Sequence, residues 1–343
     1  MTCTAPLSSE PATDSRLLGD YVRKILAAPV YDLAICTPLQ VAPALSLALG
    51  NQILLKREDL QPTFSFKIRG AYNKLAQLSE AQRRCGVVTA SAGNHAQGVA
   101  LAARTLGIEA TIVMPTTTPE LKVQGVRSRE ATAVLQGESF PFALAHALQL
   151  AEERGCTFVS PFDDPDVIAG QGTVAMELLN QHPGPLDAIF VPVGGGGLIA
   201  GIAAYVKYLR PEVRIIGVES EHSNCLQMAL RAGERVVLPK VGTFADGVAV
   251  AQIGAYGFEV CRGYVDEVIT VSNDQLCSAI KDIYDDTRSI TEPSGALAVA
   301  GIKQYVAVHG LRGQTLVAIN SGANINFDSL RHVAERAAQG GAA

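Results

Sequence analysis

The chain has 343 residues, enough for two α/β domains or one large one, and its 48% hydrophobic and 18% charged residues suit a globular enzyme better than a disordered segment. A net charge of −5 without a long Lys/Arg run argues against nucleic acid as a partner, and no apolar stretch reaches membrane-spanning length without polar interruption. The seven cysteines and six histidines are scattered without a Cys-x-x-Cys pair, so neither a zinc cluster nor a disulfide framework is readable; no metal and a reducing, cytoplasmic setting are expected.

The first 20 or so residues are rich in Ser, Thr and Pro, carry no secretory signal, and are expected to be loosely ordered. Short β-branched runs then alternate with longer amphipathic ones. Strands are expected at 52–56, 86–90, 110–114, 132–135, 157–160, 188–193, 214–219, 267–271 and 315–319. Helical patterns lie between most of them, at 95–106, 140–154, 173–180, 198–209 and 274–286. This alternation is that of an α/β fold with parallel sheets covered by helices, and nine strands fit two smaller sheets better than one. In open sheets of this kind ligands sit beyond the carboxyl ends of strands, so the chemically loaded segments should follow strands.

Four segments do. After the strand ending in Lys56-Arg57-Glu58-Asp59 comes Ser65-Phe66-Lys67-Ile68-Arg69-Gly70-Ala71. A lysine behind an aromatic residue in an apolar stretch can be desolvated, which lowers its pKa toward what a Schiff-base amine requires; a surface lysine on a helix's first turn reads the same way. The loop Ser91-Ala92-Gly93-Asn94-His95-Ala96-Gln97-Gly98 follows the strand at 86–90 and offers N–H donors to a carboxylate, although a capped helix with a glycine turn looks alike. Val191-Pro192-Val193 opens through Gly194, Gly195, Gly196 and Gly197 into a helix at Leu198. A tight turn needs one or two glycines; four in a row let backbone amides approach a phosphate. Gly195-x-Gly197-x-x-Ala200 also fits a dinucleotide fingerprint with Glu219 closing the next strand, so a nicotinamide-dependent dehydrogenase stays open on that motif alone. Finally Asn320-Ser321-Gly322-Ala323-Asn324 sets a hydroxyl at a strand end, where serines are usually caps.

Taken together and in this order, the segments resemble the threonine ammonia-lyase (threonine dehydratase) family, among the pyridoxal-phosphate enzymes of the tryptophan-synthase-β fold type. The resemblance runs from about residue 17 to 334 and includes Thr37-Pro38-Leu39, Gly170-Gln171-Gly172-Thr173, Asp246-Gly247-Val248-Ala249 and Glu292-Pro293-Ser294-Gly295-Ala296. It implies two open, twisted, mostly parallel sheets. Residues 1–74 with 161–343 would form a large cofactor domain, and 75–160 a small mobile one. It implies that Lys67 binds the cofactor covalently and removes the substrate α-proton. Phe66 would lie beside the ring, Asn94 would donate to its hydroxyl oxygen, the amides of Gly194, Gly195, Gly196, Gly197 and Leu198 would hold the phosphate, and Ser321 would meet the ring nitrogen. Ser91, Ala92, Gly93, Asn94 and His95 would receive the substrate.

The same resemblance implies the reaction. A neutral serine at the ring nitrogen cannot keep it protonated, so loss of a β-hydroxyl is favoured over transamination. L-threonine would then give 2-oxobutanoate and ammonia, and L-serine pyruvate, in isoleucine synthesis or threonine catabolism. Dehydration or racemisation of serine or 3-hydroxyaspartate by an enzyme of the same fold remains the alternative. Serine racemases of this fold carry a second serine where this chain has Ala92, which cannot transfer a proton. Those relatives also bind a divalent cation after the strand ending at Glu219, where Ser223 and Cys225 stand here. A non-catalytic homologue is a third reading. A homodimer or homotetramer is expected. A chain ending at Ala343 is expected to lack the regulatory region of long biosynthetic members, and with it inhibition by isoleucine. None of Ser128-Arg129-Glu130-Ala131 is glycine, where relatives turn before a strand, so a left-handed turn there should be strained.

Overall fold

The computed structural model describes residues 15–340. In chain order the elements are α1 (Ser15–Leu26), β1 (Leu39–Val41), α2 (Pro43–Leu49), β2 (Gln52–Arg57), α3 (Lys67–Ala76), α4 (Glu80–Cys85), β3 (Val87–Ala90), α5 (Asn94–Leu106), β4 (Ala110–Met114), α6 (Glu120–Arg127), β5 (Thr132–Leu135) and α7 (Phe140–Arg154). Then follow β6 (Thr157–Phe158), α8 (Pro165–Gln181), β7 (Ala188–Pro192), α9 (Gly197–Leu209), β8 (Arg214–Ser220), α10 (Cys225–Ala232), α11 (Ala255–Tyr264), β9 (Glu267–Val271), α12 (Asn273–Thr287), α13 (Pro293–His309), β10 (Thr315–Asn320) and α14 (Ser329–Gly340).

The expected two-sheet α/β architecture is present. One sheet has six strands in the order β1-β2-β10-β7-β8-β9, the other four in the order β5-β4-β3-β6. Every pairing is parallel except β1 on β2, an edge strand too short to show alternation in the sequence. Strands such as β7 are buried throughout, as parallel strands covered on both faces must be. β2 and β10, from opposite ends of the chain, lie side by side with Gln52 opposite Thr315.

Two expectations need correction. Residues 1–14 lie outside the described residues, but the loose order expected up to residue 20 fails from Ser15 on. Leu18, Tyr21, Val22 and Ile25 recur at helical spacing and are buried, which seats α1 on α8 and α9. The helix expected at 173–180 begins at Pro165. Asp164 caps it by accepting from the amides of Asp166 and Val167, and Pro165 suits a first helical position. Glycines at 170 and 172 hid this half of the helix because they lower intrinsic helix propensity; here they serve close approach. A Cβ on Gly170 would meet the Cα of Gly70 on α3 at 2.7 Å, and one on Gly172 would meet the Gly201 carbonyl of α9 at 3.1 Å.

The turn into β5 bears out the expected strain at a neighbouring residue: Glu130, not Ala131, takes the left-handed conformation, with φ 64°, and Ala131 is buried against the small sheet. Its carboxylate pairs with Arg104 at 3.1 Å on an exposed surface. Such a pair contributes at most about 1 kcal/mol, while left-handed backbone costs a non-glycine residue about 1–2 kcal/mol. Glu130→Gly should therefore stabilise the protein by roughly 0.5–1 kcal/mol in urea titration, whereas Glu130→Ala, which keeps the strain and loses the pair, should give no gain.

Candidate active site

β2, β7 and β10 release their loops at the same end of the large sheet, and the start of α5 meets them from the small one. Between them lies a cleft lined by Phe66, Lys67, Asn94, Phe162, the segment from Gly194 to Leu198, Gly247, Val248, Glu292, Ser294 and Ser321. Four segments far apart in sequence thus converge on one place.

Lys67 is the first residue of α3. Its Nζ donates to the Pro161 carbonyl at 2.7 Å and stands 5.3 Å from the centre of the Phe66 ring. Part of the residue faces the cleft, but burial around the amine pushes its pKa down to about 8, with the Glu292 carboxylate pulling the other way. A lysine with that pKa carries a substantial neutral, nucleophilic fraction near physiological pH.

The glycine loop follows β7 and opens α9. Among the described residues, no backbone carbonyl accepts from the amides of Gly194, Gly195, Gly196, Gly197 or Leu198. A helix of 13 residues therefore begins with a row of unpaired donors, a built anion site. Side chains are excluded from the loop by its neighbours. A Cβ on Gly194 would meet Val248 Cα at 2.9 Å, one on Gly195 the Phe162 ring at 2.1 Å, and one on Gly197 the Phe162 carbonyl at 2.9 Å. Gly196 has φ 90°. Packing and conformation thus demand the four glycines as strongly as access to an anion does.

Ser321 is buried beyond β10, its hydroxyl 3.4 Å from the Ser294 carbonyl. Asn94 Nδ2 donates to Glu292 Oε1 at 2.8 Å, and its Oδ1 accepts from Asn324 Nδ2 at 2.7 Å. Glu292 was quoted in a sequence motif but not chosen for the site. It also accepts from Ser294 Oγ at 2.7 Å and the Asn324 amide at 3.0 Å, and burial, then the charge of Asp246, raises its pKa. Gly247, Val248 and Ser294 were likewise quoted in motifs without being chosen for the site, and Phe162 escaped the sequence reading because nothing local distinguishes it from a core residue.

The loop from Ser91 to His95 divides. Asn94 lines the cleft; Ser91, Ala92, Gly93 and His95 are not among its lining residues. Ser91 Oγ accepts from the amides of Gly93 and Ala96, leaving those of Ala92, Asn94 and His95 without a carbonyl partner among the described residues. The His95 ring turns inward: its Nε2 lies 3.1 Å from the Val159 carbonyl, and burial, then the Lys67 charge, pushes its pKa down to about 3. Its Nδ1 is buried without a hydrogen-bond partner.

Glu219 does not suit a dinucleotide. It is fully buried, and its two oxygens accept from the amides of Leu226 and Gln227 at 2.8 Å each, so it cannot reach a ribose. Ser223 Oγ donates to the Val248 carbonyl at 2.8 Å, and among the described residues no group of three or more His, Cys, Asp and Glu could hold a metal. No helix among them is long and apolar enough to cross a membrane.

A desolvated amine, a five-amide anion cradle and a neutral buried hydroxyl fit a phosphorylated aldehyde with a heteroaromatic ring. Comparison with known proteins agrees. The family model described as pyridoxal-phosphate dependent enzyme matches residues 30–322. The chain is 58% identical to L-threonine dehydratase biosynthetic IlvA of Burkholderia multivorans over 94% of its own length and 64% of the relative's. It is 57% identical to the chloroplastic biosynthetic threonine dehydratase of Arabidopsis thaliana, over 93% of its length and 54% of the relative's. It thus spans less than two thirds of these curated relatives. The solved structure of the processed form of threonine deaminase isoform 2 from Solanum lycopersicum superposes with a TM-score of 0.95 at 47% identity, covering 99% of this chain and 94% of that one. This chain belongs to the family of pyridoxal-phosphate-dependent enzymes.

Proposed function

We propose that the chain dehydrates and deaminates L-threonine to 2-oxobutanoate and ammonia, and L-serine to pyruvate as a secondary activity, at the first step of isoleucine synthesis or in threonine catabolism. The observation that carries this reading is the convergence of the Lys67 amine, the unpaired amides from Gly194 to Leu198 and the neutral Ser321 hydroxyl on one cleft. The names of its relatives support threonine as the substrate.

When bound, pyridoxal phosphate supplies an electron sink for the substrate α-carbon. The five amides would neutralise the phosphate through charge-assisted hydrogen bonds, reinforced by the α9 dipole. Lys67 would anchor the cofactor and then, as a free amine, take the α-proton; its lowered pKa keeps the base neutral when needed. Asn94, held at both ends of its amide by Glu292 and Asn324, would present a fixed polar group to the ring. Ser321 would meet the ring nitrogen without bringing a charge to it, which would favour departure of a β-hydroxyl over transamination. The amides of Ala92, Asn94 and His95 would take the substrate carboxylate at the start of α5. Ala92 has no proton to return to the α-carbon, so elimination should exceed racemisation.

The reading includes two domains, 75–160 around the small sheet and 1–74 with 161–343 around the large one. The ion pair of Lys122 on α6 with Asp246, at 2.8 Å, joins the two beside the cleft. A cytoplasmic location and a homo-oligomer belong to the same reading.

Lys67→Ala should lower kcat for ammonia release from threonine by about 10³–10⁴-fold while leaving the thermal midpoint near that of the parent chain. Full turnover by that variant would sink the mechanism. Side-by-side kcat/KM for threonine, serine and 3-hydroxyaspartate should rank threonine first. The amine must be neutral to attack an aldehyde, and burial lowers its pKa, so the neutral fraction grows through about 8 rather than at the usual lysine range. The rate of cofactor uptake by cofactor-free protein should accordingly rise with pH and level off above about 8. An inflection near that of free lysine would show that the amine is solvated.

A further inference from the structure

Spacing in the sequence pairs none of the cysteines, but the small sheet pairs two of them. β3 and β6 are parallel neighbours with Val87 opposite Thr157. Cys85 ends α4 just before β3, and Cys156 immediately precedes β6, so both sit at the amino ends of adjacent strands. Cys156 Sγ lies 2.6 Å from the Cys85 carbonyl oxygen. Backbone bond lengths put a carbonyl oxygen about 2.4 Å from its own Cα, so the Cα of Cys85 is within about 5 Å of the Cys156 sulfur. That separation is within reach of a disulfide. Cys85 is exposed and Cys156 partly so; Cys36 is exposed too, but no cysteine sulfur contacts it among the described residues, and Cys225, Cys261 and Cys277 are buried.

We propose that Cys85 and Cys156 form a redox dithiol, oxidised to an intramolecular disulfide by exchange with a low-molecular-weight disulfide. The more exposed Cys85 loses its proton and attacks one sulfur of that disulfide, expelling one small thiolate. Cys156, deprotonated in turn, attacks the Cys85 sulfur of the mixed disulfide and expels the second. Two protein thiols are oxidised, one small disulfide is reduced to two thiols, and no other reactant is needed. Burial raises the pKa of Cys156, which suits the resolving partner rather than the first attacker.

The pair lies away from the cleft but on strands that lead to it. β3 runs into the loop from Ser91 to His95, and β6, paired to β3 over only two residues, runs toward Pro161, whose carbonyl accepts from Lys67. A bond between residues 71 apart in sequence would close a long loop and fasten the free end of this short pairing. In a reducing compartment such a bond would be transient, as a sensor's is.

The test uses the full chain loaded with cofactor, incubated with oxidised glutathione, alkylated and mapped by mass spectrometry. The expected product has the Cys85 peptide joined to the Cys156 peptide, lighter by two hydrogens than the two reduced peptides together whatever happens at the exposed Cys36, and its thermal midpoint is raised by a few degrees. Cys85→Ser and Cys156→Ser should each lose that crosslink, carry one glutathionyl group on the remaining cysteine and show no rise in midpoint. Stable glutathionyl groups on both cysteines of the parent chain, or both recovered as alkylated free thiols, would overturn the proposal. The parent-chain map decides this even if a serine variant fails to fold, and it does not depend on which substrate the enzyme uses.

Discussion

Arg69 is a guanidinium with no access to water, and the position of Lys67 depends on how it is neutralised. Its Nε and Nη2 donate to Glu58 at 2.7 Å each, and its Nη1 donates to Glu177 at 2.6 Å. Lys56, also fully buried, donates to Glu177 at 2.6 Å and to the Thr37 carbonyl at 2.6 Å, while Thr37 Oγ1 donates to Glu58 at 2.6 Å. Two cations and two carboxylates thus satisfy each other across β2, α3 and α8. Burying such charges gains little net stability, but leaving one unpaired costs about 3–5 kcal/mol, so the arrangement tolerates few alternatives. Residues two apart on a helix point about 200° apart. Fixing Arg69 in the core therefore fixes Lys67, two positions earlier on α3, toward the cleft.

α8 carries the second half of the constraint. It holds Glu177, and its glycines at 170 and 172 let α3 approach on one side and α9 on the other. Gln171, between them, accepts from the Gly70 amide at 3.1 Å, an orphan donor of the first turn of α3. The helix that begins with the lysine and the helix that begins with the anion cradle are thereby held at a set distance through one shared neighbour. Since glycine at these contacts leaves no room for even a methyl group, the spacing of amine from cradle is a property of the core rather than of the loops. A covalently held, phosphorylated cofactor requires that two-point spacing.

Much of this was legible in the sequence because parallel strands buried on both faces read as apolar runs. All nine expected strands occur, most within a residue of their expected ends, and the four-glycine turn announces itself. Other features were not legible, each for a physical reason. β1 has three residues and pairs at an edge. The first half of α8 is disguised by glycines that matter only when α3 and α9 are present. Glu292 earns its place through Asn94, 198 residues away, and could not be separated from an ordinary helix cap in one dimension. The direction of the His95 ring was not legible either, since only the fold shows its Nε2 against the Val159 carbonyl. Cys85 and Cys156 come together through the register of β3 and β6, which no spacing rule encodes. The missing glycine near residue 130 was legible as strain, but the residue that carries it was not.

On the proposed reading the Lys67 amine and the amides from Gly194 to Leu198 would grip one cofactor at its two ends. The most direct measurement is borohydride reduction of the cofactor-loaded protein, followed by peptide mapping. A pyridoxyl phosphate group confined to the peptide containing Lys67, and lost when Gly195→Asp places a carboxylate in the cradle, is the predicted result. Label on a different lysine, or undiminished label at Lys67 in the folded Gly195→Asp protein, would contradict it.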